Sequence, residues 1–197
     1  MENRALFSAK ATIDDVPNQM VHSSLQRSIQ LLKRHRDIFY YRAQKEELRP
    51  ISAIITTLAT QIAQSSPSTE LDQLLPYIIN GLNDYALLLQ GHKPTTRVFS
   101  EERAYIQKEN QKWRILNPVN PDDNYADTWT DETAKVFFKW IDSVINDLVQ
   151  PSALEETRYF SALKTGLGTD IVTNSLHLNT PKVTTPIISR PTQPWNE

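Results

Sequence analysis

The sequence predicts a mainly α-helical protein: a helical bundle with one long spine helix, and at most a small β element near residues 6–16 and 112–116. Two observations carry this. Apolar residues recur at three- and four-residue steps through five segments of helical length. Prolines, serines and Asx residues punctuate the intervals between them, where a helix cannot continue.

Residues 1–22 read as an extended lead-in. Leu6, Phe7, Ala11, Ile13 and Val16 suggest a short strand ended by Pro17. Residues 23–47 predict the spine, capped by Ser23 or Ser24 and ended before Pro50. Leu25, Ile29, Leu32 and Phe39 share one face, widened by Leu31 and Ile38. Residues 52–65 predict a second helix with a stripe of Ile54, Ile55, Leu58 and Ile62, followed by a Ser-Pro turn. Thr69 is expected to cap a third helix over 70–90. Pro76 inside it predicts a kink or a late start, and Gly91 suits the stop. Residues 92–128 read as non-helical apart from a short helix at 100–109 and a strand at 112–116. Thr128 with Asp131 makes a capping-box pattern opening a helix over 130–149, which would bury Phe137, Trp140 and Ile141. Ser152 with Glu155 caps a helix over 153–165, which Gly166 ends, and a short helix follows at 169–176. The organisation is a lead-in (1–22), one helical lobe (23–176) and a tail (177–197) with four prolines and no periodicity.

At 197 residues the chain can bury a real core. Its net charge of −2 gives no global case for nucleic-acid binding. No stretch approaches the ~18 apolar residues of a membrane span, so a cytoplasmic protein without a membrane partner is expected. The absence of cysteine excludes disulfides and thiolate metal sites. Gly81, Gly91, Gly166 and Gly168 are too scattered for a phosphate loop.

The spine carries Arg27, Lys33, Arg34, His35, Arg36 and Arg42. Charge alone reads this as a solvated basic face paired with Asp37, Glu46 and Glu47. His35 reads as a surface or packing residue, since none of the four histidines has zinc-site spacing. Asp14-Asp15 and Asp122-Asp123 are adjacent pairs and read as structural. Nothing resembles a nucleophile elbow. The run Asn117-Pro118-Val119-Asn120-Pro121-Asp122-Asp123-Asn124-Tyr125-Ala126-Asp127-Thr128-Trp129 is rigid turn chemistry, its side chains bonding nearby backbone and its aromatics pinning the loop to the core.

Two segments together, Val16-Pro17 with Leu25 to Asp37 and Asn117 to Trp129, resemble the C-terminal helical half of the bacterial cGAS/DncV-like nucleotidyltransferases (CD-NTases, in the SMODS and oligoadenylate-synthase-like superfamily). The likeness spans about residues 11–150 and returns weakly at Arg190 to Trp195. It implies the helical lobe of a two-lobed synthase of cyclic di- or trinucleotides in antiphage defence. In that family a lysine on the spine and a serine opening the next helix touch the nucleotide triphosphate, and Lys33 and Ser52 match them. Ser52 also reads as an ordinary helix start. The Asn-Pro motif lies near the family's cleft, with a structural role preferred for Asn117, Pro118, Asn120, Pro121, Asn124, Asp127 and Trp129. The family's N-terminal catalytic lobe, with its Gly-Ser and Asp-x-Asp motifs, has no counterpart in this sequence. The resemblance therefore implies a truncated product or one half of a split enzyme, with no catalytic or metal-binding residue of its own and no activity alone. Mg2+ and NTP are implied only for the intact enzyme. Two alternatives stay open: a helical interaction module or remnant that self-associates through its uncovered face, and a non-cyclising oligoadenylate-type enzyme.

Overall fold

The computed structural model describes residues 23–89, 105–150 and 155–179, excluding the side chains of residues 88, 89 and 177–179. The expected strand near 6–16, the stop at Gly91, the cap at Ser152 and the proline-rich tail lie outside these residues. The order is α1 (Ser24–Arg42), a short 3-10 turn (Glu46–Leu48), α2 (Ser52–Ala63), α3 (Leu71–Leu89), β1 (Gln107–Glu109), β2 (Lys112–Arg114), α4 (Asp131–Val144), a π-helical turn (Ile145–Val149), α5 (Glu156–Leu167) and α6 (Thr169–Asn179). The fold is mainly α, as the periodicity requires.

The spine opens with a capping box in which the Gln26 amide donates to Ser23 Oγ and the Ser23 amide to Gln26 Oε1. It stops at Arg42, five residues before the sequence expectation. The Lys45 amide reaches Tyr40 O at 3.0 Å and the Gln44 amide Tyr41 O at 3.2 Å, with Gln44 at φ 52°. That is a Schellman ending with glutamine where glycine is usual, so composition did not announce it. The buried face holds Ser28, Ile29, Leu32, His35, Arg36 and Tyr40. Two basic residues thus replace the expected Leu31 and Ile38 at the core, because hydrogen bonds across the bundle satisfy them.

Against α1 pack α2, α3 and α4. Leu32, Ile54, Leu58, Ile62, Ile78, Ile79, Phe137, Trp140 and Ile141 are all essentially excluded from water. Each such side chain contributes about 1.5–3 kcal/mol of transfer free energy. The third helix opens at Leu71 despite Pro76, so the late start does not occur. The Glu70 amide donates to Ser68 Oγ just before its first turn.

The helix expected at 100–109 is corrected for its described part: Gln107–Glu109 is a strand, pairing antiparallel with Lys112–Arg114 in register Lys108 with Trp113. Asn110 and Gln111, at φ 48° and 64°, make the two-residue reversal. Both central residues lie in the left-handed region that a type I′ turn needs, but the second is not the glycine that signals it. Lys108 Nζ and Trp113 Nε1 both donate to Asp131 Oδ1, at 2.6 and 2.9 Å, which fastens the hairpin to α4. The cap of α4 is Thr130 with Thr133, rather than Thr128 with Asp131. Successive turns, Asp127 N to Asn124 O and Trp129 N to Ala126 O, carry irregular backbone two residues further than expected.

In α5 the expected stop at Gly166 moves to Gly168, which takes φ 94°, a left-handed value open to glycine. Arg34 Nε donates to Leu167 O at 3.1 Å, and Arg42 Nη1 donates to Thr165 O. Two guanidinium groups of the spine thereby satisfy the last carbonyls of α5 at the negative end of its dipole.

Candidate functional site

Of the two side chains expected to meet phosphate, Ser52 opens α2 and Lys33 lies midway along α1. Lys33 lies one helical turn before Arg36, the spacing at which helix side chains are neighbours. Arg36 is buried, and its Nη1 donates to Pro50 O at 3.0 Å and to Ser52 Oγ at 3.1 Å. Its Nη2 and Nε hold Asp37 Oδ1 at 2.7 and 2.9 Å, and Arg49 reaches the same oxygen at 3.3 Å. Arg36 thus joins the spine to Ser52, and among the described residues no carboxylate pairs with Lys33. The first turn of α2 carries no acidic residue, and its N-cap, Ile51, supplies no side-chain bond. Ser52, an exposed residue, sits at the positive dipole end of this helix, and the Ile54 amide of the same turn bonds to Ile51 O. Tyr40, one turn beyond Arg36, is fully buried with no partner for its hydroxyl. Burial pushes its phenol up, against a smaller opposing pull from Arg36.

The Asn117–Trp129 segment folds on itself. Asn124 is its keystone: Oδ1 accepts from the Ile115 and Ala126 amides at 2.9 and 3.1 Å, and Nδ2 donates to Trp113 O at 2.9 Å. Asn117 Oδ1 accepts from the Val119 amide and its Nδ2 donates to Asp123 Oδ2. The Asp123 amide donates to Asn120 O. Asp127 contributes its amide to Asn124 O, and Trp129 packs on Phe137 with ring centroids 5.1 Å apart. Pro118 and Pro121 line a pocket with Gln61 and Tyr105.

Sequence reading missed a buried relay beneath the spine. Trp140 Nε1 donates to His35 Nδ1 at 3.1 Å, which makes Nε2 the protonated nitrogen of a neutral ring. That N–H donates to Asp147 Oδ2 at 3.1 Å. Asp147 sits in the π-helical turn, and Gly166 closes over the imidazole so tightly that a Cβ would lie 2.8 Å from His35 Cδ2. The partners lie 105 and 112 residues away, so no spacing rule could reveal them. His35 is a packing residue, and not a surface one.

Among the described residues, no group of three or more His, Asp or Glu side chains could hold a metal ion, and no helix is long and apolar enough to cross a membrane. No family model matches the chain. A curated protein named c-di-GMP synthase, from Roseivirga ehrenbergii, is 31% identical over 137 residues, which cover 67% of this chain and 31% of that protein. The chain thus spans less than a third of the relative's length in the match, and its sequence is related to that of a cyclic dinucleotide synthase.

Proposed function

We propose that this chain is the helical, substrate-binding lobe of a cyclic-oligonucleotide synthase of antiphage signalling, belonging with the CD-NTases and inactive by itself. The observation that carries the reading is the 31% identity to the c-di-GMP synthase. The α1–α2 junction is consistent with it. A triphosphate bound by this lobe would meet the Lys33 ammonium as a mobile point charge and the Ser52 hydroxyl at the positive end of the α2 dipole. Arg36 is a positioning residue, since its bonds to Pro50 and Ser52 fix where that helix starts. NTP and Mg2+ belong to the intact two-lobed enzyme.

The test is GTP binding to the purified chain by calorimetry, with product analysis in the presence of Mg2+. Lys33→Ala should weaken binding about tenfold or more, the scale of a lost charge-assisted hydrogen bond, and no cyclic product should form. Cyclic product from the chain alone, or binding untouched by both Lys33→Ala and Ser52→Ala, overturns the reading.

A second reading, a helical interaction module, is favoured by a groove of about 560 Å3 between α1, α3 and α5, floored by Leu31, Leu71, Leu75, Leu163 and Leu167. The other apolar residues expected on such a face, Leu6, Phe7 and Ile13, lie outside the described residues. Sedimentation decides: concentration-dependent self-association without GTP binding favours this reading over the first.

A further inference from the structure

A cavity of about 250 Å3 lies between the C-terminal half of α1, the π-helical turn after α4 and the end of α5. Arg42 and Asp147 bring opposite charges to it, and Ile38 and Phe39 give it an apolar wall. Asp147 Oδ2 is spent on His35 Nε2 and on the Ser143 hydroxyl, at 3.1 and 3.4 Å. Its Oδ1 has no partner among the described residues, and the side chain is 17% exposed. Arg42, an exposed residue, gives Nη1 to Thr165 O, and its other donors meet no partner among the described residues.

We infer that this cavity binds a small aliphatic α-amino acid in its zwitterionic form. A guanidinium and a carboxylate share one small space, yet Arg42 makes no ion pair with Asp147, because the Thr165 carbonyl holds it. Asp147 Cβ stands 3.0 Å from where a Cβ on Gly166 would lie. The two charges therefore flank a single peptide unit, Thr165–Gly166, and standard bond lengths keep them within roughly 10 Å of each other. An α-amino acid joined by hydrogen bonds at both ends spans roughly 8–9 Å between its two partner atoms. Its ammonium donates to Asp147 Oδ1 and its carboxylate accepts from Arg42, both bonds charge-assisted. A simple anion would be left facing the aspartate, and a simple cation the guanidinium, so the pair selects a ligand that carries both signs. The wall of Ile38 and Phe39 takes an aliphatic side chain out of water. The space is smaller than the cavities that hold drug-sized ligands, which keeps the class to small molecules.

The buried relay prepares the site. His35 has both ring nitrogens occupied, by Trp140 and Asp147, so it offers a ligand neither a charge nor a free nitrogen. Its bond fixes the Asp147 carboxylate in advance, and binding then costs little further ordering there. Neither Lys33 nor Ser52 lines the cavity. The inference therefore does not rest on the triphosphate reading, and a probe without phosphate isolates it.

L-valine titrated into the full chain, followed by NMR of the Gly166 amide and the Arg42 Nε–H, tests this. Saturable shifts at both with a Kd below about 1 mM are expected. N-acetylvaline lacks the ammonium and valinamide lacks the carboxylate, and each should bind about tenfold more weakly or worse. Arg42→Gln, a change at an exposed residue, should weaken valine to the same degree. Asp147→Asn should do likewise, and if that variant fails to fold, the N-acetylvaline comparison tests the same contact in the parent chain. No saturable shift up to about 10 mM valine, N-acetylvaline or valinamide binding as tightly as valine, or full affinity in a folded Arg42→Gln overturns the proposal.

Discussion

Gly166 and His35 should be energetically coupled strongly enough that removing the imidazole abolishes most of the cost of a methyl at position 166. A Cβ at Gly166 would lie 2.8 Å from His35 Cδ2 and 3.0 Å from Asp147 Cβ. The imidazole cannot step aside, because Trp140 and Asp147 hold both its nitrogens. Gly166→Ala should therefore incur an overpacking cost of about 1–3 kcal/mol. Against it stands a gain of about 0.5–1 kcal/mol from placing alanine in a helix. The net effect is a loss of up to about 2.5 kcal/mol. His35→Ala orphans the indole N–H of the fully buried Trp140, which costs about 1–3 kcal/mol, and removes the packing of the ring. The adjoining pocket of about 250 Å3 reaches Asp147, so water can solvate that carboxylate and hold the total loss to about 2–4 kcal/mol. In the His35→Ala background the new methyl at position 166 enters vacated space. The 3.0 Å approach to Asp147 Cβ remains and offsets the helix term, so Gly166→Ala should be within about 1 kcal/mol of neutral there. Urea unfolding of the four proteins by circular dichroism measures the cycle, provided the m-values agree. A coupling of about 1–3 kcal/mol is expected. Additivity within about 0.5 kcal/mol, or a Gly166→Ala protein more stable than the parent, would refute the argument.

Asn124→Ala removes three hydrogen bonds that fix the Asn-Pro loop and should cost about 2–3 kcal/mol, measured by the same unfolding assay; a loss below about 0.5 kcal/mol would mean that the loop holds without its keystone. Asp131 accepts from Lys108 and Trp113, and the hydrogen bond from Lys108 first, then that from Trp113, holds its carboxyl below the ordinary aspartate value. Its stabilising contribution is thus fully present above about pH 4 and is lost as the pH falls through the lower, folded value. Asp131→Asn should be less stable than the parent near neutrality, with the gap in urea midpoint closing in acid; a gap that widens as the pH falls contradicts the assignment.

The helices were legible because their signal is local. Apolar stripes such as Ile54, Ile55, Leu58 and Ile62 repeat at the helical period, and the same residues form the core. Boundaries were less legible where an uncommon residue occupies a special backbone position, as at Gln44 and Gln111. The Asn-Pro loop was read as self-bonded turn chemistry, and its side chains do bond to the neighbouring backbone. The basic run was harder. By composition Arg34, Arg36 and Arg42 look interchangeable, yet Arg36 holds the start of α2, while Arg34 and Arg42 satisfy the end of α5.

The sequence by itself determined the class of fold, the places where most helices begin, and the candidacy of Lys33 and Ser52. Each of these follows from periodicity, capping residues or a contiguous motif. Tertiary structure alone decided that Arg36 bonds to Ser52, that His35 is sealed between Trp140 and Asp147, and that Gln61 shares a pocket with the hairpin. Such pairings are set by how helices pack in three dimensions, so residues more than a hundred positions apart become neighbours without leaving a pattern along the chain.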